Sequence, residues 1–128
     1  MKNYHSGFSL SGVIRSFKNS LRGLRVLLRH EYNLYIQIGF AGIAVIFGFL
    51  FDINFTEWAI QTVVIGLVIF SELVNTAIEK TMDLVQPEYD YRVRDIKDLS
   101  SGAVLFMVLV SISTGLFIYF PKILPLLK

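Results

Sequence analysis

The sequence predicts an all-α integral membrane protein: an N-terminal amphipathic surface helix and three transmembrane helices, in one domain covering residues 1–128. Three observations lead there. Of 128 residues, 54% are apolar, more than a domain this small can bury in water. The apolar residues are clustered: 34–51 and 103–120 are each 18 residues without a formal charge, and 55–70 holds only Glu57, near its start. Eighteen helical residues reach about 27 Å, close to the ~30 Å hydrocarbon core of a bilayer.

The surface helix is expected over about 9–30. Leu10, Val13, Ile14, Phe17, Leu21, Leu24 and Leu28 recur every three or four residues, an amphipathic pattern. Arg15, Lys18, Arg22, Arg25 and Arg29 follow the same register one residue on, about 100° around the helix. An apolar face flanked by a basic stripe suits the membrane interface, with the basic side chains snorkelling towards phosphates. Two roles remain open: an anchor for the chain, or an anchor that also walls a site.

The first span is expected over about 34–51. The second, about 55–79, begins where Asn54 and Glu57 have the spacing of a reciprocal capping box. Its helix should run past the apolar stretch to about Val85, and Pro87 then forces a break. A new helix should start near Tyr91, become the third span over about 100–120, and stop at Pro121 and Pro125.

Charge sets the orientation. Lys2, Arg15, Lys18, Arg22, Arg25 and Arg29 precede the first span, and Lys80, Arg92, Arg94 and Lys97 lie between the second and third. The loop between the first two spans has only acids, Asp52 and Glu57. The positive-inside rule makes the N-terminus and the 80–97 loop cytoplasmic and the C-terminus external, despite Lys122 and Lys128. The chain is expected to cross a membrane several times.

Several chemistries are excluded. With no cysteine there is no disulfide, thiolate metal site or cysteine nucleophile. The charged first 30 residues do not have the form of a cleavable signal peptide. There is no P-loop, no dinucleotide-binding glycine motif and no protein-kinase motif. His5 and His30 are isolated. The apolar neighbour of the basic stripe points to lipid, so no nucleic-acid partner is expected.

The informative segment is 71–83. Glu72, Asn75, Glu79 and Asp83 are spaced by three, four and four, on one face of the second span's helix. An ionisable residue at membrane depth costs at least ~2.5 kcal/mol, so it needs a partner, a metal or a function. Glu79 and Asp83 read either as a solvated interfacial face or as part of a site, and Asn75 alone as interhelical glue. Glu31, Lys97 and Asp98 fall at the same cytoplasmic level. Glu31 with Glu79 would offer the hard oxygen ligands Mg²⁺ accepts alongside phosphate and water. Lys97 would meet phosphate as a point charge.

These residues resemble a known family. Glu-Leu-Val-Asn-Thr-Ala-Ile-Glu at 72–79, then Asp83, Lys97-Asp98 and Gly-Ala-Val-Leu at 102–105, are similar to the prokaryotic diacylglycerol kinase and undecaprenol kinase family. Arg22-Gly-Leu-Arg25 and Glu31 extend the resemblance over nearly the whole chain. It implies a homotrimer in the inner (cytoplasmic) membrane of a bacterial cell that transfers the γ-phosphoryl of MgATP to the hydroxyl of a membrane lipid, at cytoplasmic sites shared between subunits. Glu72 matches the catalytic base, and Glu31 and Glu79 the acids that hold Mg²⁺ on ATP. Asn19, Glu31, Glu79, Glu88, Tyr89, Asp90, Lys97 and Asp98 match nucleotide-binding positions. Arg15, Glu72, Asn75 and Ser101 match positions on the lipid substrate. Asn19 stands where many members carry tyrosine, and Asp90 where some carry histidine. The acceptor is diacylglycerol or undecaprenol; the Ser100-Ser101-Gly102 variant leans towards the latter.

Two other classes make different demands on the sequence. A non-catalytic structural or regulatory three-helix protein has no need of Glu72, Asn75 and Glu79 on one face. A transporter needs polar residues across the bilayer, whereas the first and third spans are almost wholly apolar.

Overall fold

A computed structural model describes residues 9–30 and 32–127. The chain divides into two units, with the boundary after residue 31.

The first unit holds one element, α1 (Leu10–His30). Its first turn closes with the Val13 N–H donating to the Ser9 carbonyl at 3.1 Å. Leu10, Val13, Ile14, Phe17, Leu21, Leu24 and Leu28 are all exposed. So are Arg15, Lys18, Arg22 and Arg25. A helix whose apolar stripe stays in the open needs an apolar medium beside it, as an interfacial helix has.

The second unit comprises α2 (Tyr32–Leu50), α3 (Phe55–Val85) and α4 (Tyr91–Ile123), closed by a 3₁₀ turn, Leu124–Leu127. There is no strand among the described residues. All three helices are long and apolar enough to cross a membrane, and the protein is an all-α membrane protein. α3 has 31 residues and α4 has 33. At 1.5 Å per residue they reach about 46 and 50 Å, well beyond the ~30 Å hydrocarbon core. Both therefore project from the bilayer, and the charges of 79–98 mark the projecting end.

The cap of α3 forms as its spacing requires. The Asn54 side chain accepts from the Glu57 N–H at 3.0 Å, and Glu57 accepts from the Asn54 N–H at 2.7 Å. α3 ends at Val85, two residues before Pro87. The other end of α4 differs from expectation. Pro121 lies inside the helix, which runs on to Ile123 and then tightens into the 3₁₀ turn containing Pro125. Proline removes one backbone donor, but the Leu124 N–H still reaches the Phe120 carbonyl, so the last turn survives.

α3 is the centre of the unit, with α4 packed along it and α2 against it less extensively. Its buried residues Gln61, Val68, Glu72, Asn75 and Thr76 form one stripe. On α4, Ser100 and Ile118 are buried; 18 residues is five helical turns, so both sit on one face. The end near residue 50 is tightly tied. Gly48 meets Trp58 so closely that a Cβ there would lie 2.5 Å from the indole ring. The Tyr119 hydroxyl donates to Gln61 Oε1 at 2.5 Å, and Gln61 Nε2 donates to the Ala44 carbonyl at 3.2 Å, joining all three helices. Lys122 pairs with Glu57 at 3.1 Å. Around this knot most large apolar side chains are exposed, Phe117 at 82% for example, as befits a lipid-facing surface.

Candidate active site at the charged end of the bundle

Depth follows from position along α3. Measured from Phe55, Glu72 lies about 26 Å along the axis, Glu79 about 36 Å and Asp83 about 42 Å. Against a ~30 Å core, Glu72 falls just inside the hydrocarbon boundary and Glu79 and Asp83 fall outside it.

Glu72 is 1% exposed, one of the most buried side chains described. Its Oε2 accepts from Gln37 Nε2 of α2 at 2.8 Å. Its Oε1 is buried without a partner among the described residues, as are Gln37 Oε1 and Thr76 Oγ1. One turn on, Asn75 uses both ends of its amide. Its Oδ1 accepts from the buried Ser100 hydroxyl of α4, and its Nδ2 donates to Glu79 Oε1 at 3.0 Å. Asn75 thus fastens α4 to α3 and aims the half-buried Glu79 carboxylate. A further turn on, Lys97 of α4 pairs with Asp83 at 2.5 Å.

A cleft of about 270 Å³ opens beside Glu72 and Asn75, with Asn33 and Gln37 of α2 and Ser101 of α4 on its other walls. It combines a buried carboxylate oxygen that can accept a proton, polar groups along one rim, and apolar side chains of α2 and α4 opposite. Glu79 supplies a metal-ligand type of oxygen already oriented by Asn75. No group of three or more acids or histidines gathers among the described residues. Mg²⁺ typically takes one or two carboxylates with the rest from phosphate and water, so this donor set fits a cation that arrives with a nucleotide.

The structure brings Glu72, Asn75, Glu79 and Ser101 together around or beside the cleft. Asp98 is exposed and pairs with Arg94 at 3.5 Å. Asp90 caps α4, accepting from the Arg92 N–H at 2.8 Å and pairing with its guanidinium at 2.8 Å. That guanidinium, with the backbone N–H, holds the Asp90 carboxyl below the ordinary aspartate range. Glu88 and Tyr89 are exposed in the loop between α3 and α4. Arg15 and Asn19 are exposed on α1. Glu31 lies outside the described residues.

Sequence reasoning missed Gln37, Thr76 and Ser100. Gln37 is the single amide in the apolar run 34–51, and the argument that flagged Glu72 flags it too. Ser100 could not be told from Ser101 until the register of α4 turned one towards α3 and the other to the cleft.

Fold and site define a polytopic membrane protein with a buried carboxylate and an oriented acid–amide ladder at one end of its bundle. Similarity to known proteins gives the class its family. The sequence model for prokaryotic diacylglycerol kinase matches residues 18–119. The undecaprenol kinase of Bacillus subtilis is 34% identical over 114 residues, covering 89% of this chain and 93% of the relative. The diacylglycerol kinase of Escherichia coli is 30% identical over 115 residues, covering 89% and 92%. The chain belongs to the prokaryotic diacylglycerol kinase family and is a lipid kinase.

Proposed function

We propose that the protein transfers the γ-phosphoryl of MgATP to the hydroxyl of diacylglycerol or undecaprenol, at the cytoplasmic face of a bacterial inner membrane, as a homotrimer. The observation that carries the reading is Glu72: a buried carboxylate with one oxygen held by Gln37 and the other unpartnered beside a cleft. In this reading the lipid hydroxyl enters the cleft at the depth of Glu72. Its oxygen attacks the γ-phosphorus, ADP leaves, and the hydroxyl proton passes to Glu72 Oε1. Phosphoryl transfer needs mainly positioning and charge neutralisation, and the remaining residues provide both. Glu79, with Glu31 by family resemblance, would hold Mg²⁺, whose chemistry is to neutralise charge on the phosphates. Lys97 offers a point charge to the same phosphates, with Asp98, Asp90, Glu88, Tyr89 and Asn19 on the nucleotide. Asn75 keeps Glu79 in place, Ser101 borders the cleft that would take the lipid, and Arg15 matches a lipid-substrate position by family resemblance.

The homotrimer, the shared sites and the cytoplasmic N-terminus rest on the resemblance and on the charge pattern. The test is direct. Purified protein in lipid vesicles receives labelled MgATP with diacylglycerol or undecaprenol in parallel, and Mg²⁺ is withdrawn with chelator in a third arm. One acceptor is expected to be phosphorylated in a Mg²⁺-dependent way, and Glu72→Gln to abolish turnover. Labelling of neither lipid, or full turnover in Glu72→Gln, overturns the mechanism.

A further inference from the structure

We infer that Gln37 is a positioning residue for this reaction: its amide pins one oxygen of Glu72 so that the other faces the cleft. The inference rests on the reading of Glu72 as the base. Three observations carry it. Gln37 Nε2 donates to Glu72 Oε2 at 2.8 Å, and a carboxylate can only accept, so the amide must turn its NH₂ to the acid. Glu72 Oε1 and Gln37 Oε1 are both buried without a partner among the described residues. Both residues line the cleft. A buried acceptor without a donor is unfavourable, and a hydroxyl placed in the cleft relieves that at Glu72 Oε1. Without Gln37, nothing else described bonds the carboxylate, and it is free to rotate about its last torsion. The proton-accepting oxygen is then no longer fixed in direction.

Gln37 also stands at a boundary. It borders the cleft and a separate, mostly apolar cavity of about 350 Å³ between α2, α3 and α4. Leucine at this position suits those walls and removes the unpartnered Oε1, so Gln37→Leu is expected to fold. Histidine restores an N–H donor at similar reach, because its Nε2 lies about as far from Cβ as the glutamine nitrogen.

The experiment measures kcat and KM for acceptor and for MgATP in wild type, Gln37→Leu, Gln37→His and Glu72→Gln, with thermal unfolding in detergent alongside. Gln37→Leu is expected to lose roughly 10- to 100-fold in kcat, the scale of a misplaced reacting group. KM for MgATP should stay put. The unfolding temperature should fall only slightly, because losing the orphaned Gln37 Oε1 offsets part of the cost of leaving Glu72 Oε2 without a donor. Gln37→His should recover most of the kcat loss. Wild-type kcat in Gln37→Leu, or equal losses in the leucine and histidine variants, overturns the positioning role. So does a change confined to KM for the acceptor. If Glu72→Gln turns over normally, the base assignment itself fails; if Glu72→Gln is dead while Gln37→Leu is wild type, only the role of Gln37 fails.

Discussion

The bond between Asn75 and Ser100 crosses from α3 to α4 where both are buried, and a double-mutant cycle measures it. Asn75→Ala removes the acceptor of the Ser100 hydroxyl and the donor to Glu79 together. Ser100→Ala removes only the first. In water-soluble proteins an orphaned buried hydroxyl costs about 1–3 kcal/mol, but the Ser100 hydroxyl can still donate to the Lys97 carbonyl at 3.1 Å, so the cost here falls short of that range. Within membranes, interhelical hydrogen bonds average only about 0.6 kcal/mol, with a maximum near 1.7. Both residues are under a tenth exposed and lie near the hydrocarbon boundary, so a coupling of about 1 kcal/mol is expected. The assay is unfolding in mixed micelles at fixed protein concentration, followed by the fluorescence of Trp58, the sole tryptophan, packed on Gly48 at the opposite end. Kinase activity supplies a second readout. Asn75→Ala should lose more kcat than Ser100→Ala, because only the former frees Glu79. A coupling below about 0.3 kcal/mol is additivity within error and would falsify the bridge. Equal activity losses would show that Asn75 does not act through Glu79.

Two further predictions test the scaffold. Gly48→Ala should destabilise by about 1–3 kcal/mol, the range for overpacking, because its Cβ would fall 2.5 Å from Trp58; Trp58→Leu in the same chain should restore stability, as read by circular dichroism melts. Asp90→Ala should weaken the start of α4 at neutral pH, but the difference from wild type should vanish in acid. The folded carboxyl titrates below its ordinary value of 3.8, so its contribution is present above that pH and lost as pH falls through the folded pKa. Hydrogen exchange of the first turn of α4, followed from pH 7 downward through pH 3.8, checks the sign: the gap between wild type and variant should narrow as the pH falls and not widen.

Periodicity and charge made the helices legible because each feature was local. Three spans, the Asn54–Glu57 box and the stop before Pro87 all follow from residues within a few positions of one another. The acidic line on α3 was legible for the same reason: residues three and four apart share a face whatever surrounds them. The partners of that line were not. Gln37 lies 35 residues from Glu72, and Ser100 lies 25 residues from Asn75. Such pairs depend on how α2 and α4 rotate against α3, and a helical pattern carries no information on that rotation when the side chains around it are uniformly apolar. Pro121 shows the converse. A local rule predicted a stop, but proline forfeits only one bond, and the turn after it still closes.

The polar groups inside the bundle differ in kind. At the end near residue 50 the buried donors and acceptors are neutral: Gln61, Tyr119 and a backbone carbonyl satisfy one another. Towards the other end Asn75 and Ser100 again join helices without charge. Glu72 breaks that pattern. It is the one carboxylate buried among the described residues, and an ionisable group at membrane depth costs at least ~2.5 kcal/mol. As interhelical glue, a glutamine at position 72 would accept from Gln37 equally well and would donate besides, which the orphaned Gln37 Oε1 could use. What glutamate adds over glutamine is basicity, along with an oxygen that nothing among the described residues satisfies. The proposal that Glu72 takes a proton from the incoming hydroxyl rests on that asymmetry, and it is why Glu72→Gln should leave a stable, well-packed protein that no longer turns over.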